Sequence, residues 1–569
     1  MPVPADNSPT ERSLRRHAVL KRKKQPWLQL YQLLGEYIHT RKQEFLGDNA
    51  EGEFLNRDLF DSVAPKAAKI SASSLRAMLW PDSGKKFSIT PPRMLTETVE
   101  IKEFYEFMTD DMLDTLDDSD GGLKTALDET TLDDVVFGTS GLEVFMSSKG
   151  VITYRPWGVK HMSIAEGENG RVDTVYIEVV FPVSRVVAEY GEDKVSKEVL
   201  KMWKEGQQDD DVKVLMVVEP RVDRDKTKQG SQNMPWRSQH IDIKHKHEMR
   251  SGGFEEMTIM VTRLSKIIGE VQGRSFGMDA LPDTFQINAV KESVVVAIEK
   301  MLDPPLGVTD DGSLGGGEID TSAGAINVFN LSGRAGETNP IFPLFTVGEI
   351  KQPVQLLEML KESINDHFSI DRLLDFNNES QMTLGETQIR DRLRNATLSA
   401  LFTRQITEKY SPLIERTFNM KLKRGDFGVL PDSEEALTDP TARIIPEAVA
   451  ELMQSGQNVY NIRYFTPAQR ALESEEANGI IRSWELASTM AAQIPDVLDN
   501  LDADEGWRKF RVLVGGVSEM TRAKSMVKDI RIKRMEAEAE RQQKEDLLAA
   551  SEGARNLGQS GLVGPQGGA

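Results

Sequence analysis

The apolar positions of residues 285–301 follow a helical period. Steps of three and four residues separate Ile287, Val290, Val294, Ile298 and Met301. Side chains at this spacing share one face of a helix, and we expect that face to be buried. Pro304 has no backbone N–H, and Pro305 disfavours the α conformation at Pro304. The helix should therefore end at this double proline, with an extended chain over residues 306–308.

Other hydrophobic patterns predict an α+β fold that is mostly helical. Residues 27–38 have the pattern of an amphipathic helix, and residues 98–145 predict two helices around the acidic turn Asp117–Gly122. Residues 183–205 predict a helix broken at Gly191, and residues 441–549 are predicted to be helical. Alternating or β-branched runs predict strands at 143–145, 151–154, 172–181, 212–218, 239–247 and 254–261.

Composition narrows the class of protein. A chain of 569 residues exceeds what one core usually supports, so we expect several domains or layers. The absence of cysteine excludes disulfides and thiolate chemistry. A net charge of −20 argues against a broad DNA-gripping surface, although it suits a soluble protein or a channel wall that repels phosphate. We find no membrane-spanning run or secretory segment, and we expect the basic cluster Arg12–Lys24 to form a solvated arm.

One segment spells a catalytic motif. Gly273-Arg274-Ser275-Phe276-Gly277 matches Gly-x-Ser-x-Gly, which in hydrolases needs a buried strand before the serine and a helix directly after it. Residues 264–272 are charged, Pro282 is expected to delay the helix, and His367 is the only downstream histidine. Residues 121–125 also fail as a phosphate loop, because Leu123 separates the glycine from the lysine. We predict no catalytic site and no cofactor.

Two segments could suggest metal sites. The acidic turn Asp117–Gly122 lacks the alternating oxygen ligands and the closing Glu of a calcium loop, so a turn between helices is favoured. His240, His245 and His247 could suggest zinc, because the last two would share one face of a strand. The interleaved lysines and the lack of a third fixed ligand make that interpretation weak.

Several motifs, in order along the chain, resemble podovirus-type portal proteins, the head-to-tail connectors of tailed bacteriophages. They are Pro26-Trp27, Phe137-Gly138-Thr139, the Gly273–Asp283 turn with Pro304-Pro305 and Asp310-Asp311-Gly312, the capping box Thr383 to Glu386, the Tyr410 to Phe418 ending, and Pro495–Asn500. The chain departs from the family pattern at Val271-Gln272, Phe276, Leu384-Gly385 and Gln388. These departures indicate a divergent branch.

The resemblance implies a ring subunit with wing, stem, clip and crown regions. In such proteins the clip lies between two stem helices, and a tunnel loop, here within 309–318 or 332–340, points into the bore. The implied plan is a basic N-terminal arm (1–25), first wing part (26–182), stem helix (183–206), clip (207–264), second stem helix (265–305), second wing part with tunnel loop and long helix (306–430), helical crown (431–549) and disordered Gly-rich tail (550–569).

The resemblance also implies a function without catalysis. Twelve copies would form a ring at one capsid vertex of the virion, assembled in the bacterial cytoplasm, through which double-stranded DNA is packaged and ejected. Implied partners are the terminase ATPase, tail adaptors, and major capsid and scaffolding proteins, with no membrane. The candidate site residues are Arg274 and Asp283 framing the stem helix, Val294 on its face, Pro304 and Pro305 ending it, and Arg221, Arg224 and Lys244 for partner contact on the clip. The alternative is a helical scaffold or adaptor that forms no ring.

Overall fold

The chain divides into two compact units in a computed structural model. The first contains residues 1–83 and 115–420, and the second contains residues 84–114 and 421–569. The structure describes residues 8–40, 42–47, 55, 59–82, 84–92, 94–95, 98–225, 227–228, 230–309, 319–329, 341–345, 351–369, 400–431, 433, 443–455, 459–464, 467–491, 502–513 and 524–560. Both units combine helices with strands.

The helices of the described residues are numbered in chain order. They are α1 Pro9–Tyr37, α2 Val63–Leu79, α3 Val99–Asp117, α4 Leu123–Phe137, α5 Val183–Tyr190, α6 Lys197–Lys204, α7 Phe276–Leu302, α8 Lys351–His367, α9 Ser411–Arg424, α10 Glu447–Gln454, α11 Pro467–Ala491, α12 Ala503–Leu513 and α13 Lys524–Ser560. Helical residues 400–405 and the π-helical turn Ile406–Tyr410 lead directly into α9.

The strands are numbered in the same way. They are β1 Phe87–Thr90, β2 Thr139–Met146, β3 Ile152–Trp157, β4 Met162–Glu166, β5 Val172–Pro182, β6 Asp211–Pro220, β7 Trp236–Asp242, β8 His247–Phe254, β9 Ile259–Arg263, β10 Leu306–Thr309, β11 Ile326–Phe329, β12 Ile341–Pro343 and β13 Asn461–Tyr464. The prediction of a mixed helix and strand fold is confirmed.

Helix α1 begins much earlier than the sequence pattern predicts. Ser8 caps its N-terminus by accepting a hydrogen bond from the Glu11 backbone N–H, and Pro9 takes the first helical position. Pro26 lies inside the helix. The basic cluster Arg12–Lys24, expected to form a solvated arm, therefore lies on a helix, with Lys24 buried and its other cations exposed. The basic cluster is half of a docked helix.

A five-stranded antiparallel sheet in the order β4-β5-β6-β7-β8 forms the largest sheet of the first unit. β5 and β6 pair continuously from Val175 opposite Val218 to Pro182 opposite Asp211. Helices α5 and α6 join these two strands, and Gly191, with φ +85°, ends α5. Both helices add side chains to the apolar core of this sheet.

This topology corrects two expectations. Residues 183–206 form two short helices on a sheet and not one stem helix. Residues 207–264 are not a separate insert, since β6 pairs with β5 and β9 pairs with β2 in a three-stranded sheet of order β3-β2-β9. The β-branched side chains of these strands are buried on both faces of the sheet. Residues 207–264 are therefore part of the core of the first unit.

The acidic turn between α3 and α4 has the predicted role. α3 ends at Asp117 and α4 starts at Leu123, and Gly122 takes the left-handed conformation between them. The described residues contain no cluster of three His, Asp or Glu side chains that could hold a metal ion. The turn joins two helices.

The second unit contains a sheet of two distant strands. β1 pairs antiparallel with β13, with Phe87 opposite Tyr464 and Thr90 opposite Asn461. Arg443 lies over the ring of Phe107 at 3.6 Å. α13 continues to Ser560, which is eleven residues beyond the predicted end of the helical crown at residue 549.

Several predicted segments lie outside the described residues. They are 310–318 and 332–340 of the tunnel-loop candidates, the capping box at 383–386, residues 495–500 and the tail 561–569. Among the helices that the structure describes, none combines the length and apolar character needed to cross a membrane.

Candidate functional site: a helical hairpin and its anchor

Helix α7 starts from a serine that is fixed on two sides. The Ser275 hydroxyl accepts a hydrogen bond from the Met278 backbone N–H at 3.0 Å and donates one to the Val136 carbonyl at 2.7 Å. The first bond caps α7, and the second ties it to the end of α4. Ser275 is only 2% exposed. Its position makes it an anchor for the helix.

The two glycines of the same motif allow the backbones of α4 and α7 to approach closely. A Cβ on Gly273 would lie 2.0 Å from the Gly138 carbonyl oxygen, and one on Gly277 would lie 2.8 Å from the Val136 carbonyl oxygen. The Gly273 backbone N–H donates to the Thr139 hydroxyl at 2.8 Å. The Gly-x-Ser-x-Gly spelling therefore reflects backbone packing and helix capping.

The structure changes one argument about the hydrolase motif and adds another. Pro282 does not delay the helix, because α7 begins at Phe276 and contains that proline. However, residues 264–274 lead into Ser275 as a loop closed by a bridge between Ser265 and Arg274, where a nucleophile elbow needs a strand. With its hydroxyl engaged by Val136 and Met278, Ser275 has the environment of a structural residue.

Arg274 holds this loop against α1. Its Nε donates to Glu270 at 2.8 Å, and its guanidinium lies 4.7 Å from the centre of the Trp27 ring. The hydrogen bonds to Glu270 raise the pKa of Arg274 above its usual value. The predicted frame residue thus fixes the entry to α7 through Glu270 of the same loop and Trp27 of α1.

Asp283 joins α7 to α8, and we refer to these two packed helices as the hairpin. Its Oδ2 accepts a hydrogen bond from Ser363 Oγ at 2.6 Å and lies 3.4 Å from Nε2 of His367. Ser363 and His367 lie one turn apart on α8. The second predicted frame residue therefore sets the position of α8 on α7.

Asn288 and Lys291 also anchor α7, and the sequence analysis missed both. Asn288 Oδ1 accepts hydrogen bonds from the backbone N–H groups of Phe60 and Asp61, each at 2.9 Å. Lys291 Nζ pairs with Asp61 Oδ2 at 2.8 Å. An amide beside Ile287 on an otherwise apolar face was the available signal. Its partners lie more than two hundred residues earlier.

The predicted burial of the apolar face holds only for the first half of α7. Ile287 is buried and Val290 and Val294 are half-buried, but Ile298 and Met301 are exposed. α8 has the same division, since Leu360 and Ile364 are buried while its first half is exposed. Phe285 is exposed near the start of α7, and the other exposed large apolar side chains of the hairpin are Val295, Val296, Ile298, Met301, Leu302, Val354, Leu356 and Met359.

The chain is extended after the double proline, as predicted, and there it forms part of a small sheet. The Pro305 carbonyl accepts a hydrogen bond from the Leu344 N–H, and β10 begins at Leu306. β10 pairs in parallel with β11 and antiparallel with β12. Further exposed apolar side chains extend the apolar surface onto this segment: Ile319, Ile326, Val328, Ile341 and Phe345.

Comparison with known proteins assigns the chain to a family. Residues 10–520 match the model of the family described as bacteriophage head to tail connecting protein. The chain belongs to this connector family. It is 24% identical over 557 residues to a protein named probable portal protein of Bordetella phage BPP-1, covering 96% of both chains. It is 22% identical over 564 residues to the portal protein of Salmonella phage epsilon15, covering 98% of this chain and 96% of that protein.

The family match confirms the resemblance to podovirus-type portal proteins, and it spans both compact units of the connector chain. Identity near one quarter is low, but it extends over nearly the whole length of both relatives. The departures from the family pattern within the α7 entry loop are consistent with this distance.

The three residues predicted for partner contact do not form one patch in this connector. Arg221 is half-buried and donates to the Met234 and Gly252 carbonyls at 3.1 and 2.8 Å, so it holds the sheet together. Arg224 is exposed in the loop before β7, and Lys244 is exposed in the turn after it. With roughly 3.3 Å per residue, the length of β7 separates the last two by about 20 Å.

The three histidines that could suggest a zinc site, His240, His245 and His247, have separate partners. His240 Nδ1 lies 2.6 Å from the Tyr190 hydroxyl, and burial lowers the pKa of His240 to about 4. His245 lies in a turn and contacts Asp242 Oδ2 at 2.6 Å, whereas the prediction had placed it in a strand. His247 Nε2 lies 3.0 Å from the Lys194 carbonyl. Each histidine supports a different part of the fold.

Buried charges surround the π-helical turn. Lys409 Nζ pairs with Asp134 Oδ2 at 2.7 Å, and both side chains are completely buried. The neighbouring Glu408 pairs with Arg263 at 2.6 Å. Because the wider turn points consecutive residues inward, it places both charges in the core. These pairs connect the π-helical turn to α4 and β9.

Proposed function

We propose that this connector-family chain is the subunit of a closed portal ring at one capsid vertex. Double-stranded DNA would pass through the ring during packaging and ejection. The apolar surface of the α7 and α8 hairpin carries the proposal, because it has no counterpart to pack on among the described residues. Contiguous exposed apolar surface of this kind marks an association site.

The position of this surface favours self-association. The hairpin is anchored at one end by Ser275, Asp283 and Asn288, whereas its apolar half extends beyond those contacts. Because two exposed helices present apolar side chains in several directions, one copy can contact a neighbour on each side. Contacts of one surface with a different surface of the next copy close into a ring when the rotation allows.

The remaining features follow the family resemblance. We propose twelve subunits, docking of the terminase ATPase and tail adaptors, contact with major capsid and scaffolding proteins, and residence in the virion after assembly in the host cytoplasm. The role is a conduit without catalysis. The wing (26–182 and the part of 306–430 that follows α8) and crown (431–549) remain proposals of the same kind.

We also propose a revised clip. In this family the clip lies between two stem helices, and α7 and α8 flank residues 303–350, which contain β10, β11 and β12. The earlier candidate, residues 207–264, contributes strands to the main sheets instead. The position of β10, β11 and β12 between α7 and α8 supports these two helices as the stem helices. We therefore propose that the small sheet between them is the clip.

Native mass spectrometry with electron microscopy tests the ring. Closed rings with a central bore are expected for the parent chain. The double variant Ile298→Asp with Met301→Asp should remain monomeric. Ile70→Asp is the matched control, since Ile70 on α2 is 41% exposed and Ile298 is 40% exposed.

The same experiment tests the alternative, a scaffold or adaptor without a ring. Its supporting observation is α13, which runs from Lys524 to Ser560 with mostly exposed charged side chains up to residue 545. Elongated dimers that survive the Ile298 and Met301 substitutions would favour the adaptor and contradict the ring. Rings that survive those substitutions would contradict the role given to the hairpin.

A further inference from the structure

One face of α1 carries exposed positive charge on a protein that is acidic overall. Arg12, Arg22 and Lys23 are exposed on this helix, whereas Ser13, His17, Leu20 and Lys24 are buried on its other side. Arg12 and Lys23 are eleven residues apart and lie about 20° apart around the helix axis, and Arg22 lies about 80° from Arg12 on the same exposed side. We refer to Arg12, Arg22 and Lys23 as the basic ridge.

The neighbouring cations of α1 already have partners on the large sheet. Arg16 pairs with Glu219 at 3.0 Å, and Lys21 pairs with Glu178 at 2.6 Å. His17 also contacts Glu178, at 3.1 Å. These contacts hold the helix in a fixed orientation. The basic ridge is consequently presented on a rigid support.

The basic ridge lacks such partners. Arg12, Arg22 and Lys23 form no ion pair with any residue that the structure describes. Arg15 lies beside them but makes a contact within the fold, and we leave it out of the ridge. The ridge charges therefore contribute little to holding α1 in place.

The arrangement is also unfavourable for the helix itself. Arg12 lies in the first turn of α1, where the helix dipole disfavours a cation. Arg12 and Arg15, three residues apart on one side of the helix, repel each other. Positive charge that costs local stability and lacks an internal partner indicates an anionic partner outside the chain.

We propose that the basic ridge binds the phosphate backbone of double-stranded DNA without sequence preference. From Arg12 to Lys23 the ridge extends about 16 Å along the helix, at 1.5 Å per residue. That length corresponds to roughly five base pairs of duplex. This inference rests on the proposed function, since a portal ring meets duplex DNA.

The composition of the ridge favours DNA over an acidic protein. Protein interfaces depend on a core of apolar and aromatic side chains, whereas Val19 is the one large apolar side chain exposed along this part of α1. Phosphate contacts need cations alone. The whole chain has a net charge of −20 and its surface outside the ridge should repel DNA, so the contact should be confined to the ridge and multiplied by the copies in a ring.

The test compares two triple variants of the full chain in binding to a labelled duplex of arbitrary sequence. Arg12→Glu, Arg22→Glu and Lys23→Glu reverse the ridge. The control reverses Lys197, Lys201 and Lys204 on α6, which are exposed and interspersed with Glu198 and Glu205. The two variants change the net charge equally, so a difference between them reports the location of the charge.

Fluorescence anisotropy at several salt concentrations gives the expected result. Loss of three phosphate contacts per subunit should reduce the slope of log Kd against log salt by about 2.7. Between 50 and 200 mM salt that slope corresponds to roughly a 40-fold change in affinity. The α6 control should keep the parent slope. Equal loss in both triple variants would show a general charge effect and overturn the proposal.

Two further measurements separate the possible failures. Thermal unfolding should show the ridge variant to be as stable as the parent, because an acidic residue at position 12 suits the first turn of α1 and Arg22 and Lys23 form no ion pair with a described residue. Native mass spectrometry reports whether rings form. Parent rings that bind no duplex would reject the DNA site while leaving the proposed function in place. The ridge variant could also form rings and bind DNA like the parent, yet fail to enter capsid precursors. That result would indicate an acidic protein partner and would also reject DNA binding by the ridge.

Discussion

Replacing Asp134 with alanine should strongly destabilise the first unit of this connector. The Asp134 carboxylate lies 2.7 Å from the Lys409 ammonium, and both side chains are completely buried. The ammonium has one other contact, to the Thr130 hydroxyl at 3.3 Å. Asp134→Ala would leave it without a counter-charge. Breaking a buried pair in this way costs about 3–5 kcal/mol.

A second variant tests the physical reason for that cost. Lys409→Met leaves the Asp134 carboxylate with hydrogen bonds from Thr262 and Gln405, so its cost should be smaller. Replacing both partners by apolar residues, Asp134→Leu with Lys409→Met, removes both charges together. Such a replacement is often neutral or even stabilising. We expect the double variant to recover at least about 2 kcal/mol relative to the sum of the single changes Asp134→Leu and Lys409→Met.

Urea unfolding followed by circular dichroism measures these free energies. Hydrogen exchange of peptides from residues 400–424 adds a local measurement, since Lys409 lies within that helix. A loss of 3 kcal/mol corresponds to about a hundredfold change in the unfolding equilibrium. If Asp134→Ala costs less than about 1 kcal/mol, or the two sites prove additive, the pair is not a coupled element of the core and the reasoning fails.

Three further predictions concern the anchor, the hairpin and the α1 contact. Ser275→Ala should lower stability by about 1–2 kcal/mol, because α7 loses its cap and a buried bond to Val136, and an unchanged melting temperature would contradict the anchor. Val294→Asp should prevent ring assembly in native mass spectrometry while far-UV circular dichroism stays the same; intact rings would reject a role for this face. Hydrogen bonds, first from His17, lower the pKa of Glu178 from 4.5 to about 2, so its stabilising contribution is present above pH 4.5 and lost as the pH falls toward 2. In unfolding measured as a function of pH, Glu178→Gln should remove the loss of stability that Glu178 causes as the pH falls. A variant that loses stability with pH as the parent does would contradict this role of Glu178.

Local patterns were enough to predict many of the elements. The end of α7 at the double proline, the extended start of β10 and the turn between α3 and α4 all depend on residues close in sequence. Such features result from backbone sterics, which the sequence displays directly. The predicted strands 172–181 and 212–218 match β5 and β6 closely, but the predicted strand 239–247 spans the turn between β7 and β8, and β4 was missed.

Longer-range features could not be predicted in the same way. The pairing of β1 with β13 joins residues more than three hundred positions apart. The role of Ser275 depends on the Val136 carbonyl, 139 residues earlier. Pro26 suggested a boundary, yet α1 continues through it because the helix is held by contacts of His17 and Lys24 with the sheet and its loops. Tertiary contacts decided each of these cases.

The apolar face of α7 was predicted to be buried along its whole length, but only its first half is. The physical reason for this difference bears on assembly. A helical period of apolar residues predicts that a face is buried, but it does not identify the partner. In α7 the partner of Ile287 lies within the chain, whereas Ile298 and Met301 remain exposed. Folding contacts and the proposed association contacts therefore occupy different halves of one helix. Changes near Ser275 or Asn288 should reduce the stability of the subunit, and changes near Ile298 should affect assembly while leaving that stability unchanged.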